Sequence, residues 1–472
     1  MSLKKNDEIR IKIEALSSEG SGVAHFDGQA VFVAGTAVGD DIVAHIIKAK
    51  QRYAVGIIKK IVKPSKDRID CDCEAFPRCG GCAYRHISYE SELEWKKQRV
   101  NDALDRIGKL DLKVDEIVGS ERVDRYRNKA QYPVGLSEKG DLITGFYSPK
   151  SHRICDCTGC LLQPEEFSSI LSGIRLWVLT SEVTVYNEES GKGFLRHIYL
   201  RKAELTGEIM VCLVATGESV PNKNKLIEIL LNENSNIKTV VLNVNSEKTN
   251  KILGEKCVYL YGDGYIIDVL CGKKIRISPL SFYQVNRDQA ERLYEKAREF
   301  AELKGGEILL DLYCGAGTIG LSMSDSVKEL IGVEVVPQAI EDAKFNAELN
   351  GVKNARFICD DAKGAAKTLA ANGVKPDVIV LDPPRKGCDG QVLEAVSQMS
   401  PDRVVYVSCD PATLARDCAA FAKLGYKAEK AIAFDLFPRT VHVETVCLLS
   451  RKDMPKNVSK SEIGGNSSAD RF

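Results

Sequence analysis

A cysteine stands in the run Val404-Val405-Tyr406-Val407-Ser408-Cys409-Asp410-Pro411, between an apolar strand-like stretch and a helix-like one, Ala412-Thr413-Leu414-Ala415-Arg416-Asp417. A thiol between a strand end and a helix N-terminus can have its pKa lowered, and a thiolate is a nucleophile. Free cysteine is also commonly a small buried hydrophobe, and position alone leaves both readings open. Further on, Val441-His442-Val443-Glu444-Thr445-Val446 sets one carboxylate among apolar neighbours in a strand-like run. Burial there raises its pKa and suits Glu444 to proton transfer. His442 reads as structural or RNA-facing.

The third chemical element is a glycine loop. Ile308-Leu309-Leu310-Asp311-Leu312-Tyr313 has the pattern of a buried strand, and Cys314-Gly315-Ala316-Gly317-Thr318-Ile319-Gly320 opens a helix. The three glycines match a dinucleotide fingerprint. The surroundings favour S-adenosylmethionine (SAM) over NAD. Asp311 lies just before the loop, and Glu334 ends the next strand, where a carboxylate can accept both ribose hydroxyls. Asp382-Pro383-Pro384-Arg385 follows the apolar strand Val378-Ile379-Val380-Leu381, at the end of a strand where open α/β sheets bind ligands. One cysteine, one base and one SAM pocket are the parts needed to methylate carbon 5 of uracil. A thiolate adds at carbon 6, carbon 5 then takes the methyl group, and a base removes the carbon-5 proton so that the thiol leaves.

Seven of the 16 cysteines, at 71, 73, 79, 82, 155, 157 and 160, form a separate block. Cys73, Cys79 and Cys82 are spaced C-x5-C-x2-C, and thiolate quartets hold iron–sulfur clusters or zinc. The two C-x2-C pairs, Cys79/Cys82 and Cys157/Cys160, are separated by 74 residues, far beyond the ~15–20 of common zinc ribbons.

Elements must position these groups. The chain has 472 residues, long enough for about three domains, and 66 basic residues balance 66 acidic ones. Zero net charge excludes a wholly basic coat but not a local basic face. Residues 1–65, with short alternating strands and glycine turns, predict a small β-barrel, and residues 1–70 carry 12 basic against 9 acidic side chains. Residues 66–275 read as an α+β domain carrying the cysteine block. Residues 276–453, where strands alternate with helices, read as a parallel α/β sheet. The polar stretch 454–472 reads as a disordered tail. The charged start Met1–Arg10 is no secretory signal and no apolar run reaches ~18 residues. A cytoplasmic compartment without membrane attachment, and a monomer, are expected.

At these residues the chain resembles the RNA 5-methyluridine methyltransferase family, in particular its iron–sulfur-containing bacterial 23S rRNA branch. Ser408 to Asp417 resembles the family's nucleophile motif, with Asp410 where Asn is usual, and His442-Val443-Glu444-Thr445-Val446 resembles its base motif. Ser281-Phe282-Tyr283-Gln284-Val285-Asn286 resembles its first SAM motif. The resemblance implies Cys409 as nucleophile, Glu444 as base, and Gln284, Tyr313, Glu334, Asp382 and also Asp361 at SAM. It implies a TRAM β-barrel at residues 1–65 and a Rossmann-like class I SAM-dependent methyltransferase domain at 276–453. It further implies a [4Fe-4S] cluster on Cys73, Cys79, Cys82 and, before Leu161-Leu162, Cys160. The expected partner is structured RNA, 23S rRNA first and a tRNA T-loop second. Two other enzyme readings differ in detail. A radical-SAM methylthiotransferase needs another cysteine spacing and domain order, and an amino-group RNA methyltransferase built on Asp382-Pro383-Pro384-Arg385 needs no nucleophilic cysteine. A non-catalytic RNA-binding protein would have no use for the full set of motifs.

Overall fold

A computed structural model describes residues 3–452; the tail expected at 454–472 lies outside them. The N-terminal unit is a six-stranded sheet built from Glu8–Lys12, Ala15–Leu16, Gly22–Phe26, Gln29–Val33, Asp41–Ala49 and Tyr53–Lys63. Alternate residues of these strands point inward, and Ile9, Ile11, Val31, Val33, Ile42 and Ile46 form its core. Period-two patterning of this kind buries one face and leaves lysines on the other.

The central unit is a seven-stranded mixed sheet running, edge to edge, through Ile154–Asp156, Leu142–Tyr147, Lys129–Leu136, Leu195–Lys202, Ile209–Ala215, Ile237–Val244 and Lys256–Tyr261. Helices Glu166–Thr180 and Lys223–Glu233 cover one face through Phe167, Ile170, Ile174, Trp177, Leu226 and Leu230.

The C-terminal unit carries the site. Its strands, numbered within this sheet, are β1 (Ile308–Leu312), β2 (Glu329–Glu334), β3 (Ala355–Cys359), β4 (Val378–Leu381), β5 (Arg403–Ser408), β6 (Tyr426–Phe434) and β7 (Glu444–Arg451). Their order is 3-2-1-4-5-7-6, with β1 to β5 parallel and β7 antiparallel to both neighbours. The continuous apolar runs of β1, β4 and β5 are buried on both faces, as parallel strands flanked by helices require. The order reverses between β1 and β4, so a crevice opens at their carboxyl ends.

Two segments preceding residue 276 complete this unit. Ile117–Val118 adds an eighth strand beside β6. Helix Tyr89–Ala103 and the following π turn, Leu104–Gly108, bury Val100, Ala103 and Leu104 against Ala415, Ala433 and Val443. No helix among the described residues is long and apolar enough to cross a membrane.

Candidate active site

A cavity of about 840 Å³ lies at the strand switch point, and Gln284, Tyr313, Glu334, Asp361, Asp382, Cys409 and Glu444 all line it. The fold thus gathers onto one surface seven residues whose first and last members are 160 positions apart in the chain.

Backbone geometry explains the cofactor side. Tyr313 leaves β1 with φ +71°, a conformation rare for a bulky residue and found where function holds the chain in place. Gly315 follows at φ +54° with open space above its Cα, and Gly317 at φ +80° precedes helix Thr318–Met323. Gly320 is required for another reason. Its N–H donates to Asp311 Oδ2 at 2.9 Å, and a Cβ there would meet Leu330 at 2.8 Å. Asp311 therefore braces the loop from beneath. Its other oxygen, Oδ1, is buried without a partner, and burial pushes the carboxyl up to about 8. Glu334 accepts from Gly315 N at 3.2 Å and Val336 N at 2.9 Å, one bond per oxygen. Each oxygen keeps a free acceptor position for a ligand hydroxyl.

The Cys409 side begins at the end of β5. Asp410 caps helix Pro411–Lys423, its Oδ1 accepting from Ala412 N at 2.9 Å and Thr413 N at 3.1 Å, with Pro411 at the first helical position. Asp and Asn cap comparably, so Asp410 keeps the geometry that fixes Cys409. The expected acidic thiol is corrected by the site's electrostatics. Burial, then the fields of Glu444 and Asp382, push the Cys409 thiol up to about 12; Arg385 opposes them and loses.

Glu444 opens β7, and the residues before it are loop rather than strand. It is 5% exposed. Burial, then Asp382, push its carboxyl up to about 8, and burial alone takes Asp382 up to about 7. Glu334, Asp361, Asp382, Asp389 and Glu444 thus line the crevice, with Arg385 as the cation whose field reaches Cys409 and Glu444. A cavity holding this much buried acid suits a cationic ligand. SAM, with its sulfonium and ammonium groups and its ribose diol, fits both the charge and the free acceptor positions of Glu334.

The opposite wall comes from the loop between β6 and β7, which brings in Phe437 and His442. Arg385 Nη2 donates to His442 Nε2 at 3.2 Å, and burial and Arg385 push the imidazole down to about 4, so it is neutral near pH 7. A fully buried ion cluster pins this loop. Lys96 Nζ bonds Glu92 at 2.6 Å, Asp435 at 2.7 Å and the Phe437 carbonyl at 3.2 Å. Arg439, at φ +69°, donates its N–H to Glu92 at 2.7 Å. In sequence, Glu92 and Lys96 look like an ordinary exposed i,i+4 pair, and nothing there signals a partner 339 residues away. Phe282, which reads as a core aromatic without its motif, is instead 62% exposed at the cavity mouth; Tyr283 is the buried one.

The cysteine block gathers, but not as expected. Cys73, Cys79, Cys82, Cys155, Cys157 and Cys160 lie close enough to influence one another's ionisation. Burial, reinforced by neighbouring thiols, pushes Cys79 up to about 11 and Cys82 and Cys157 up to about 12. Yet among the described residues no three Cys, His, Asp or Glu side chains are disposed to hold a metal ion. The set Cys73, Cys79, Cys82 and Cys160 is therefore close in space without forming a closed coordination site.

A doubly wound sheet, an acid-lined glycine loop and an N-terminal β-sheet unit define a SAM-dependent methyltransferase with an appended domain. The comparisons specify it further. Residues 270–452 match the family described as tRNA (Uracil-5-)-methyltransferase, and residues 3–59 match the TRAM domain. An uncharacterized RNA methyltransferase of Clostridium tetani is 43% identical over 448 residues, 95% of this chain and 97% of that one. One from Halalkalibacterium halodurans is 44% identical over 452 residues, covering 96% and 98%. The crystal structure of the Pyrococcus abyssi tRNA (uracil-54, C5)-methyltransferase with S-adenosyl-L-homocysteine superimposes with a TM-score of 0.76 at 27% identity. It covers 93% of this chain and 99% of that one. The chain belongs to the family of SAM-dependent RNA uracil-5 methyltransferases with a TRAM domain.

Proposed function

We propose that this protein methylates carbon 5 of a specific uridine in 23S rRNA, with Cys409 and Glu444 as its catalytic residues. The observation that carries the reading is the shared cavity: a half-buried thiol, a buried high-pKa carboxyl and the acid-lined glycine loop open onto one space. Bound SAM supplies the methyl group, which carbon 5 receives as S-adenosylhomocysteine is released. The chain's own groups do the rest. Cys409 sulfur bonds carbon 6 of the uracil while its proton passes to Asp382, the more acidic neighbouring carboxyl. After transfer, Glu444 in its ionised form takes the carbon-5 proton and passes it to solvent, the sulfur–carbon-6 bond breaks, the double bond is restored, and Asp382 returns its proton to the departing thiolate. Gln284, Tyr313, Glu334 and Asp382 hold the cofactor, with Asp361 beside them. The TRAM unit grips structured RNA while the base is extruded into the cavity.

Cys409→Ala is expected to abolish methyl transfer and keep SAM binding; a variant that still methylates removes the nucleophile assignment. Glu444→Gln is expected to accumulate a covalent protein–RNA adduct on denaturing gels, and normal turnover without adduct removes the base assignment. A tRNA T-loop uridine is the second reading, favoured by the named activity of the Pyrococcus abyssi neighbour. Incubation with labelled SAM and separated rRNA and tRNA, followed by mapping of the label, decides between them. The [4Fe-4S] proposal for Cys73, Cys79, Cys82 and Cys160 rests on the resemblance and on an all-sulfur donor set. Anaerobic purification is expected to give a brown, iron-containing protein, and a colourless one refutes it.

A further inference from the structure

Lys129 and Arg201 form a pair of like charges that the reaction above leaves unused. Their strands run antiparallel with Lys129 directly opposite Arg201, so both side chains leave the same face of the central sheet. Like charges in that position repel. Burial aggravates the repulsion: Arg201 is 3% exposed and Lys129 is half-buried. Burial, then Arg201 and Arg127, push the Lys129 ammonium down to about 8. Two nearby cations have counter-charges, Arg125 facing Glu165 at 3.7 Å and Lys202 facing Glu166 at 2.7 Å, whereas Arg127 meets the Tyr126 hydroxyl instead. Among the described residues no carboxylate pairs with Lys129 or Arg201. Arg201 Nη1 is buried with no hydrogen-bond partner at all. Two repelling cations, one with an idle donor, are costly unless an anion joins them.

Position indicates which anion. Arg201 Nη2 donates to the Ser281 carbonyl at 2.5 Å. Asn128, which precedes Lys129, donates its Nδ2 to the Gln284 carbonyl and its N–H to the Val285 carbonyl, both at 2.8 Å. The pair is thus tied to the backbone that carries Phe282 and Gln284 to the cavity. A nucleotide entering that cavity brings phosphodiesters on both sides of it. We propose that Lys129, backed by Arg201, binds an RNA phosphate next to the nucleotide held in the cavity. The site rests on the reading of the substrate as RNA. Lys129 makes the contact, because it is the half-exposed member, and Arg201 adds its idle Nη1 and its charge from behind.

The test is binding of a twelve-nucleotide oligouridylate to the full-length protein across a potassium chloride series, read by fluorescence anisotropy. Losing one phosphate contact lowers affinity and reduces the slope of log K against log salt by about 0.7 on a single strand. Lys129→Met is expected to bind about tenfold more weakly with that smaller slope, and Lys129→Arg to keep both values. Melting temperature is expected to equal or exceed wild type, because the substitution relieves the repulsion, and S-adenosylhomocysteine affinity is expected to match it. Wild-type affinity and slope in Lys129→Met overturn the site. So does weaker binding with an unchanged slope, or a fall in iron content with RNA binding intact, which would assign these cations to the cysteine block. A wild-type protein that binds no RNA overturns the RNA reading and this site with it.

Discussion

Glu444 offers a test of the site that needs no substrate. Burial, then Asp382, raise its carboxyl from 4.5 to about 8 in the folded protein. A folded-state pKa above the unfolded one means that the folded chain holds a proton the unfolded chain has already released. Stability is therefore lost as pH rises from about 4.5 to about 8, at about 1.4 kcal/mol per pH unit. The accumulated loss is about 3 kcal/mol at pH 7 and about 5 kcal/mol above pH 8. Glu444→Gln removes the titration and keeps the shape. Its unfolding free energy relative to wild type is expected to climb through that window and level off above it. Urea unfolding of both proteins at half-unit intervals from pH 5 to 9 measures the difference directly. A difference that stays flat with pH refutes the buried, strained carboxyl.

Three further outcomes follow from the same geometry. SAM affinity is expected to rise from pH 6 to 8 with release of protons on binding, because a cation favours ionisation of Asp311, Asp382 and Glu444, which stand at about 8, 7 and 8 without it. Calorimetry in buffers of different ionisation enthalpy reads the protons, and pH-independent binding without proton release contradicts the assignment. Lys96→Met, which strands Glu92 and Asp435 in the interior, is expected to cost about 3–5 kcal/mol in denaturant unfolding; a cost below about 1 kcal/mol would mean that water reaches the cluster. Gly320→Ala is expected to lose SAM binding, because its Cβ would lie 2.8 Å from Leu330 and 2.9 Å from Asp311 and must push the loop outward; unchanged affinity in equilibrium dialysis counts against the bracing role of Asp311.

The cofactor half of this protein was legible in its sequence because it is local. Strand, glycine turn and helix follow one another, so spacing ties Asp311 and Glu334 to strand ends, while Tyr313 is placed only through the family resemblance. β1, β4 and β5 are continuous apolar runs, and their strand assignments agree with the structure almost to the residue. The proposed nucleophile was legible as a position, a cysteine between a strand and a capped helix. Its ionisation was not. That depends on Glu444 and Asp382, 35 and 27 residues away along the chain and brought together only by the sheet order.

The sequence by itself determined the kinds of groups present and the local turns that present them, because hydrophobic period, glycine and proline act over a few residues. Only the tertiary structure decided which charges face one another. Lys96 meets Asp435, Arg385 meets His442 and Lys129 meets Arg201 across long stretches of chain. Electrostatic energy depends on distance and burial rather than on sequence separation. For the same reason the cysteine spacing foretold a gathering of thiols but not whether their sulfurs close around a metal. Coordination requires positions accurate to a few tenths of an ångström, and a count of intervening residues does not carry that information.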